Sequence, residues 1–352
     1  MDPVRVGIIG CGVIGTRHLQ AAMESPLLHI AAVADVRPEV AQAAGEHFGA
    51  QRVYTDGAAL LADDRVEAVV LAMPANIRTE LALQAFAAGK HVLTEKPVAR
   101  SAAEVRRLIA AQGQLIGACC SSRMRCAPSA AVAAEVLAQG LLGELRVLFC
   151  RAMKAAGHPP TSPPPSWRVS KVENGGGILM NWGSYDLDYL LGLTGWRVRP
   201  QLALAQTWSV PPLLSMHVAP ESDAETHVAA LVMCADGVVL SYERGEFVAQ
   251  ASEESWRIEG SEGALRLQMP PGKGKQVLFD RVTRAQGAVT EVIWQGDEEW
   301  SLLHAGPIND FARAIREHCP PRTSLEHALI IQATSDAIYA SAATSQPAPI
   351  NV

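Results

Sequence analysis

The chain has little of what marks several large protein classes. It has no surplus of positive charge: 30 Lys and Arg stand against 36 Asp and Glu, a formal net charge of -6. That balance excludes a general electrostatic grip on nucleic acid or on an anionic membrane surface. No apolar run approaches the length of a membrane span. The seven cysteines (Cys11, Cys119, Cys120, Cys126, Cys150, Cys234 and Cys319) include no CxxC pair and no histidine at zinc spacing. Their odd, scattered placing indicates reduced thiols in a cytoplasmic protein, with no metal site. The first residues, MDPVRVGIIG, lack the basic region and cleavage site of an export signal. Aromatic residues reach only 5%, and alanine supplies much of the apolar fraction, which suits close packing of helices on a sheet. What is present, 352 residues with 49% hydrophobic and 19% charged, suffices for two ordinary domains with substantial cores.

Val4 to Ile9 is a β-branched apolar run that enters Gly10-Cys11-Gly12-Val13-Ile14-Gly15 and then a helical stretch to about Glu24. The spacing is GxGxxG. One glycine makes the turn, one lets backbone approach a pyrophosphate, and one lets helix pack on strand, while the helix start offers free N–H groups. A second strand, His29 to Ala34, closes the unit and ends in Asp35, twenty positions beyond Gly15. A carboxylate there accepts from ribose hydroxyls and repels a 2′-phosphate, so NAD is favoured over NADP. Arg37, two residues on, keeps NADP possible because it could hold that phosphate. Asp35 also suits the start of the helix that Pro38 opens.

The alternation continues. Pro38 to Phe48 reads as helix, Val66 to Ala72 as strand, Thr79 to Ala88 as helix, and Gln114 to Cys120 as the sixth strand. Ser101 to Glu104 is a capping box for another helix. This order specifies a doubly wound parallel sheet. Met73-Pro74-Ala75-Asn76 follows a strand, so Met73, Pro74 and Asn76 are expected on the nicotinamide side. His91 to Glu95 runs straight into Lys96 and Pro97. Proline cannot continue a ladder and constrains the residue before it, so Lys96 stands on an abrupt turn at the carboxyl end of a strand, the edge where such sheets bind ligands. A Lys96–Pro97 bond in such a turn is a usual place for a cis peptide.

After Cys120 the pattern changes, and the boundary is set at 122/123: residues 1–122 form a dinucleotide-binding Rossmann domain, and 123–352 an α+β substrate and oligomerisation domain. Ser122-Arg123-Met124-Arg125 leads through Pro128 into an alanine-rich helix, and a strand follows from about Leu145 to Met153. His158 to Pro165 is an extended surface loop, followed by Trp167-Arg168. Gly175 to Asp188 allows close backbone approach at its glycines and then reads as helix to about Leu193. At α-helical spacing Asn181, Tyr185 and Asp188 share a polar face, which suits a cleft; Tyr185 as a core phenol and Asp188 as a packing acid are the structural alternatives. Strands dominate from about Leu202 to Trp294, with hairpin turns at Cys234–Gly237 and Glu259–Gly263. Helices are expected near Ile308 to Glu317 and Leu325 to Ser341. Such hairpins build a large open mixed or antiparallel sheet, one face covered by helices and the other facing solvent or a partner subunit.

Together these residues resemble the Gfo/Idh/MocA oxidoreductases, relatives of glucose-fructose oxidoreductase and inositol dehydrogenase. The likeness covers nearly the whole chain. It rests on the glycine loop, the run Ala88 to Pro97, the arginines before Pro128, Trp167-Arg168, the Gly175 to Asp188 segment and Asn309-Asp310-Phe311. It implies nicotinamide-dependent redox chemistry on a sugar, polyol or cyclitol and a homodimer or homotetramer. It also implies that Lys96, with Glu95 beside it, assists proton transfer. Many members have an aspartate and a histidine where this chain has Asn181 and Tyr185; glucose-fructose oxidoreductase is similar in using tyrosine. A further departure replaces the usual Thr-Pro and downstream histidine by Met73-Pro74 and Arg78. On this reading Tyr185 acts on the reacting hydroxyl with Lys96, Asn181 orients it, and Arg125, Trp167, Arg168 and Asp188 are weaker substrate contacts. Two other classes fit the same residues: a cofactor-binding regulator without turnover, and an NAD-dependent lyase or glycosidase that oxidises its substrate only transiently. Lys96 and a titratable Tyr185 place the dehydrogenase or reductase first.

Overall fold

The structure is a computed structural model that describes residues 2–162 and 164–352; Met1 and Pro163, the latter in the expected proline-rich loop, lie outside the described residues. The chain divides into two compact units, one from the amino terminus to Arg123 with Trp300–Leu329, the other Met124–Glu299 with Ile330–Val352.

The first unit alternates strand and helix: β1 (Val4–Ile9), α1 (Val13–Glu24), β2 (Leu28–Ala34), α2 (Pro38–Phe48), β3 (Arg52–Tyr54), α3 (Gly57–Leu61), β4 (Ala68–Leu71), α4 (Ala75–Ala87), β5 (His91–Thr94), α5 (Ala102–Gln112) and β6 (Gly117–Cys119). The described residues form a six-stranded sheet in the order β3-β2-β1-β4-β5-β6, every pair parallel. The order reverses between β1 and β4, so the crevice for a ligand opens beyond their carboxyl ends. Two elements escaped the sequence reading, β3 and α3, each too short to show a period. Helix α4 starts four residues earlier than expected because Pro74 stands at its N-cap, where no N–H is needed. Ser101 caps α5 by accepting from the Glu104 N–H, as the capping box requires.

The second unit contains α6 (Pro128–Ala138), β7 (Leu145–Ala155), α7 (Lys171–Asn174), α8 (Ser184–Leu193), β8 (Pro200–Trp208), β9 (His227–Cys234), β10 (Val239–Val248), β11 (Glu253–Gly260), β12 (Gly263–Leu267), β13 (Lys275–Thr283) and β14 (Gly287–Gly296). After α9 (Trp300–Glu317) and α10 (Leu325–Thr344), a last short strand β15 (Ala348–Pro349) pairs with β8. The nine-stranded sheet runs β14-β13-β12-β11-β7-β10-β9-β8-β15; β7 and β10 are parallel and the other pairs antiparallel. Alternate residues of its central strands (Leu148, Val232, Leu240, Tyr242, Trp256 and Ile258) are buried, and α8 lies on that side. Leu204, Trp208, Leu231 and Met233 point the other way and are exposed.

Helix α9 departs from the division at 122/123. Its Ile308, Phe311, Ala312 and Ile315 join Val4, Val6 and Ile8 of β1 and Leu19 of α1 in one core, so this stretch completes the first unit rather than the second. It also begins at Trp300, not near Ile308, and carries Pro307 inside it. The buried positions Leu303, Pro307, Ile308, Phe311 and Ile315 keep helical spacing through the proline, and that packing offsets the lost backbone hydrogen bond. Among the described residues, no helix is long and apolar enough to cross a membrane.

Candidate cofactor and active site

The glycine loop leaves β1 where its Gly10 N–H donates to Ala34 O at 2.8 Å. Gly10 has φ +91°, and a Cβ there would lie 2.7 Å from Ala72 O; a Cβ on Gly15 would lie 1.8 Å from Gly10 O. A Cβ on Gly12, by contrast, would meet only Arg37 Nη2 at 4.0 Å. The middle glycine therefore faces open space, above an α1 start whose N-cap has no side-chain hydrogen bond. Val13, Val36 and Ile77 are exposed apolar side chains on this edge. Asp35, at the end of β2, accepts from the Cys11 N–H at 2.9 Å and from Arg37 Nε at 3.0 Å. Burial pushes its carboxyl up, but these hydrogen bonds outweigh it and leave Asp35 below the ordinary range, hence ionised. The same surroundings, burial first and Asp35 second, push the Cys11 thiol up to about 11, so it is no nucleophile at neutral pH. Asn76, in the first turn of α4, has a buried side-chain oxygen with no partner among the described residues. An uncapped helix start, an open glycine, an ionised acceptor and an orphaned amide oxygen on one sheet edge fit a dinucleotide.

Beyond β5 the chain turns at Glu95-Lys96-Pro97, and the Lys96–Pro97 bond is cis. The Lys96 N–H donates to Glu95 Oε2 at 3.1 Å, and the lysine is half-buried. Glu95 is buried; His18 Nε2 lies 2.9 Å from its Oε1 and Arg123 donates to the same oxygen at 2.6 Å. Burial pushes this carboxyl up, yet Arg123, His18 and Lys96 hold it well below the usual range. His18, Glu95 and Cys120 also bring three metal-type donor atoms together. The Arg123 guanidinium already balances the carboxylate there, so the cluster reads as a salt-bridge core rather than a cation site. Arg78, buried in α4, donates Nε and Nη2 to Met73 O at 3.1 and 2.8 Å and Nη1 to Glu95 O and Pro97 O.

In the second unit the Gly-rich segment is held by Glu225. Its carboxylate accepts from the N–H groups of Gly177 and Leu179 at 3.0 Å each and from Tyr339 Oη at 2.8 Å. A Cβ on Gly177 would lie 1.8 Å from Glu225 O, and one on Gly176 would lie 2.0 Å from Tyr339 Oη. The glycines allow the close backbone approach expected of them: Gly177 admits the main chain of Glu225, and Gly176 makes room for the Tyr339 phenol. Leu179–Gly183 is a π-helical turn leading into α8, so Asn181 precedes the regular helix and the spacing of four to Tyr185 is not the α-helical repeat the sequence suggested. Tyr185 is buried, its ring 5.7 Å edge-on from Trp182, and the Arg244 guanidinium lies over Trp182 at 4.7 Å. Asp186 anchors α8 on the sheet, accepting from Trp256 Nε1 at 3.0 Å and Tyr242 Oη at 3.2 Å.

The weaker substrate candidates separate. Asp188 is fully buried and takes a hydrogen bond from Arg125 Nε at 2.6 Å, while Arg125 also lies 5.3 Å from the Trp196 ring. That bond ties α8 to the stretch just before α6. Trp167 is exposed, and Arg168 pairs with buried Glu246, which lines a cavity of about 520 Å³ with Trp208, His227 and Phe247. Sequence reasoning missed His18, Glu225, Tyr339 and Arg244, whose roles come from contacts distant in sequence. Arg78 was visible only as a departure from a family pattern.

Residues 4–115 match the family model described as oxidoreductase family, NAD-binding Rossmann fold, and residues 131–266 match that of the GFO/IDH/MocA C-terminal domain. Similar proteins include a levoglucosan dehydrogenase from Pseudarthrobacter phenanthrenivorans, 26% identical over 303 residues (79% of this chain, 77% of the relative). A 1,5-anhydro-D-fructose reductase from Ensifer adhaerens is 24% identical over 353 residues, 98% of each chain. Among solved structures, an oxidoreductase domain protein from Kribbella flavida superposes with a TM-score of 0.87 at 23% identity over 100% of both chains. A levoglucosan dehydrogenase in complex with NADH and levoglucosan gives 0.86 at 22% identity, over 99% of this chain and 100% of that one. The parallel sheet, its glycine loop and the mixed second sheet thus have their counterparts in one set of proteins, and the chain belongs to the Gfo/Idh/MocA family of NAD-binding oxidoreductases.

Proposed function

We propose that this chain moves a hydride between a nicotinamide coenzyme and a secondary alcohol or ketone of a sugar, polyol or cyclitol, with Lys96 and Tyr185 handling the proton and Asn181 orienting the hydroxyl. The observation that carries the reading is Lys96 on the turn after β5, beside an ionised Glu95 and one strand from the point where the sheet order reverses. Gly10 to Gly15, Asp35, Met73, Pro74 and Asn76 would hold the coenzyme, which when bound gives or accepts the hydride. Removing hydride from carbon requires the hydroxyl proton to leave as well. A tyrosine with an unperturbed pKa of about 10 is a poor base at neutral pH. A neighbouring ammonium favours the phenolate, and that is the part assigned to Lys96. Relatives named for levoglucosan, for 1,5-anhydro-D-fructose and, at 29% identity, for a dTDP-linked keto sugar support a sugar-like substrate.

The test is a panel of sugars, polyols and cyclitols with NAD and NADP, followed by nicotinamide absorbance, on wild type, Lys96→Ala and Tyr185→Phe. Each variant should lose about two to four orders of magnitude in kcat. Normal turnover in both would remove the proton-transfer roles. Tight coenzyme binding with no turnover of any substrate would favour a regulator instead.

A further inference from the structure

Arg78 is 3% exposed, yet among the described residues it makes no ion pair at hydrogen-bond distance. Its guanidinium instead gathers three main-chain oxygens from two turns. Two of its nitrogens converge on Met73 O, in the turn after β4, and the third reaches Glu95 O and Pro97 O, on either side of Lys96 in the turn after β5. No other protein side chain could do this with one group. The guanidinium is planar, carries five donors in a fixed fork and keeps its charge when buried, whereas an ammonium is a single point with three donors. The Glu95 carboxylate nearby offsets the burial of the charge, which lowers the guanidinium from its ordinary value without removing its proton at working pH.

Strand ladders stop short of both turns: among the described residues the last bonds run from Glu95 N–H to Leu71 O and from Ala72 N–H to Ile9 O. Pro74 and Pro97 have no N–H to contribute. Arg78 therefore ties the two turns together where the ladder has ended. We propose that Arg78 is a positioning residue that locks the Met73–Pro74 turn to the Glu95–Pro97 turn and so fixes where Lys96 stands relative to the coenzyme side of the sheet. This rests on the proposed role of Lys96, but the lock itself is a property of the protein without coenzyme.

The experiment uses the full chain as Arg78→Lys and Arg78→Met, with hydrogen–deuterium exchange of the coenzyme-free protein, NADH fluorescence titration and steady-state kinetics. Exchange should rise about tenfold in peptides covering both turns and stay unchanged over β1 and β2. NADH affinity should stay within about threefold of wild type, a change of under 1 kcal/mol. The kcat on the best substrate of the panel should fall about a hundredfold with little change in KM, the signature of misplacement. Unchanged exchange in either turn would overturn the proposal. So would protection lost across the whole sheet, or failure of both variants to fold, since each marks a general structural role. If wild type turns over nothing, the substrate reading fails while the exchange result still decides the lock; if wild type is active and Arg78→Lys keeps its kcat, the lock fails and the substrate reading stands.

Discussion

Arg123 donates to Oε1 of Glu95 at 2.6 Å, and both side chains are buried. This pair, with His18 on the same oxygen, supports the turn that carries Lys96. Glu95→Gln would take the carboxylate charge away from buried Arg123 and should cost about 3–5 kcal/mol, read as a shift in denaturant midpoint. The folded carboxyl lies below its unfolded value. Its contribution is therefore complete above the unfolded pKa of about 4.3 and is lost as pH falls through the folded value. Wild type should lose stability below about pH 4 more steeply than Glu95→Gln; equal slopes would show that the carboxylate is not what acid attacks.

Coenzyme choice should turn on Asp35. Its ionised carboxylate repels a 2′-phosphate while holding Arg37 Nε at 3.0 Å. Asp35→Ser should weaken NADH binding about tenfold and tighten NADPH, because Arg37 is released to meet the phosphate. Adding Arg37→Ala should abolish that gain. Fluorescence titration of the four combinations checks it, and NADPH binding unaltered by Asp35→Ser would contradict it.

The Gly-rich segment should tolerate no side chain at position 177. A Cβ there would sit 1.8 Å from Glu225 O, too close for anything but backbone movement. Gly177→Ala should destabilise the chain by about 1–3 kcal/mol or more through overpacking. It should also lower activity, since Asn181 and Tyr185 follow on the same segment. Thermal unfolding alongside turnover reads both; a variant as stable as wild type would mean the segment can shift freely.

A second pH dependence should come from His304. Burial, and then the Arg123 charge, push its imidazole down to about 4. The folded value lies below the unfolded value of about 6.5, so this contribution is whole above pH 6.5 and fades as pH drops toward 4. Solvent around the partly exposed ring screens the effect, which leaves a loss of about 1–2 kcal/mol. His304→Gln should flatten the stability profile in that window, measured by urea unfolding at several pH values; an unchanged slope there would assign the loss to other groups.

The first sheet could be read from the chain because each of its long elements states its own period, and glycine and proline punctuate them. The loop Gly10 to Gly15, the strand end at Asp35 and the Lys96 turn are local in sequence, and their backbone forms were legible. The short β3 shows no period, and α9 begins at Trp300, ahead of the expected start near Ile308. The supports of the site were out of reach for a different reason: Glu225 touches Gly177 from 48 residues away and Arg123 touches Glu95 from 28. Nothing local in a sequence announces such meetings. Asn181 and Tyr185 were singled out by their place in the family resemblance and by an α-helical spacing, and the π turn does not keep that spacing.

Helix α9 gives the nucleotide-binding half a wall made almost 300 residues after its first strand. During synthesis the ribosome releases Val4, Val6 and Leu19 long before Ile308, Phe311 and Ile315 exist to cover them. That half must wait, its apolar edge uncovered, until most of the polypeptide has emerged. A gene cut after residue 123 would yield a product with a sticky flank rather than a self-sufficient domain.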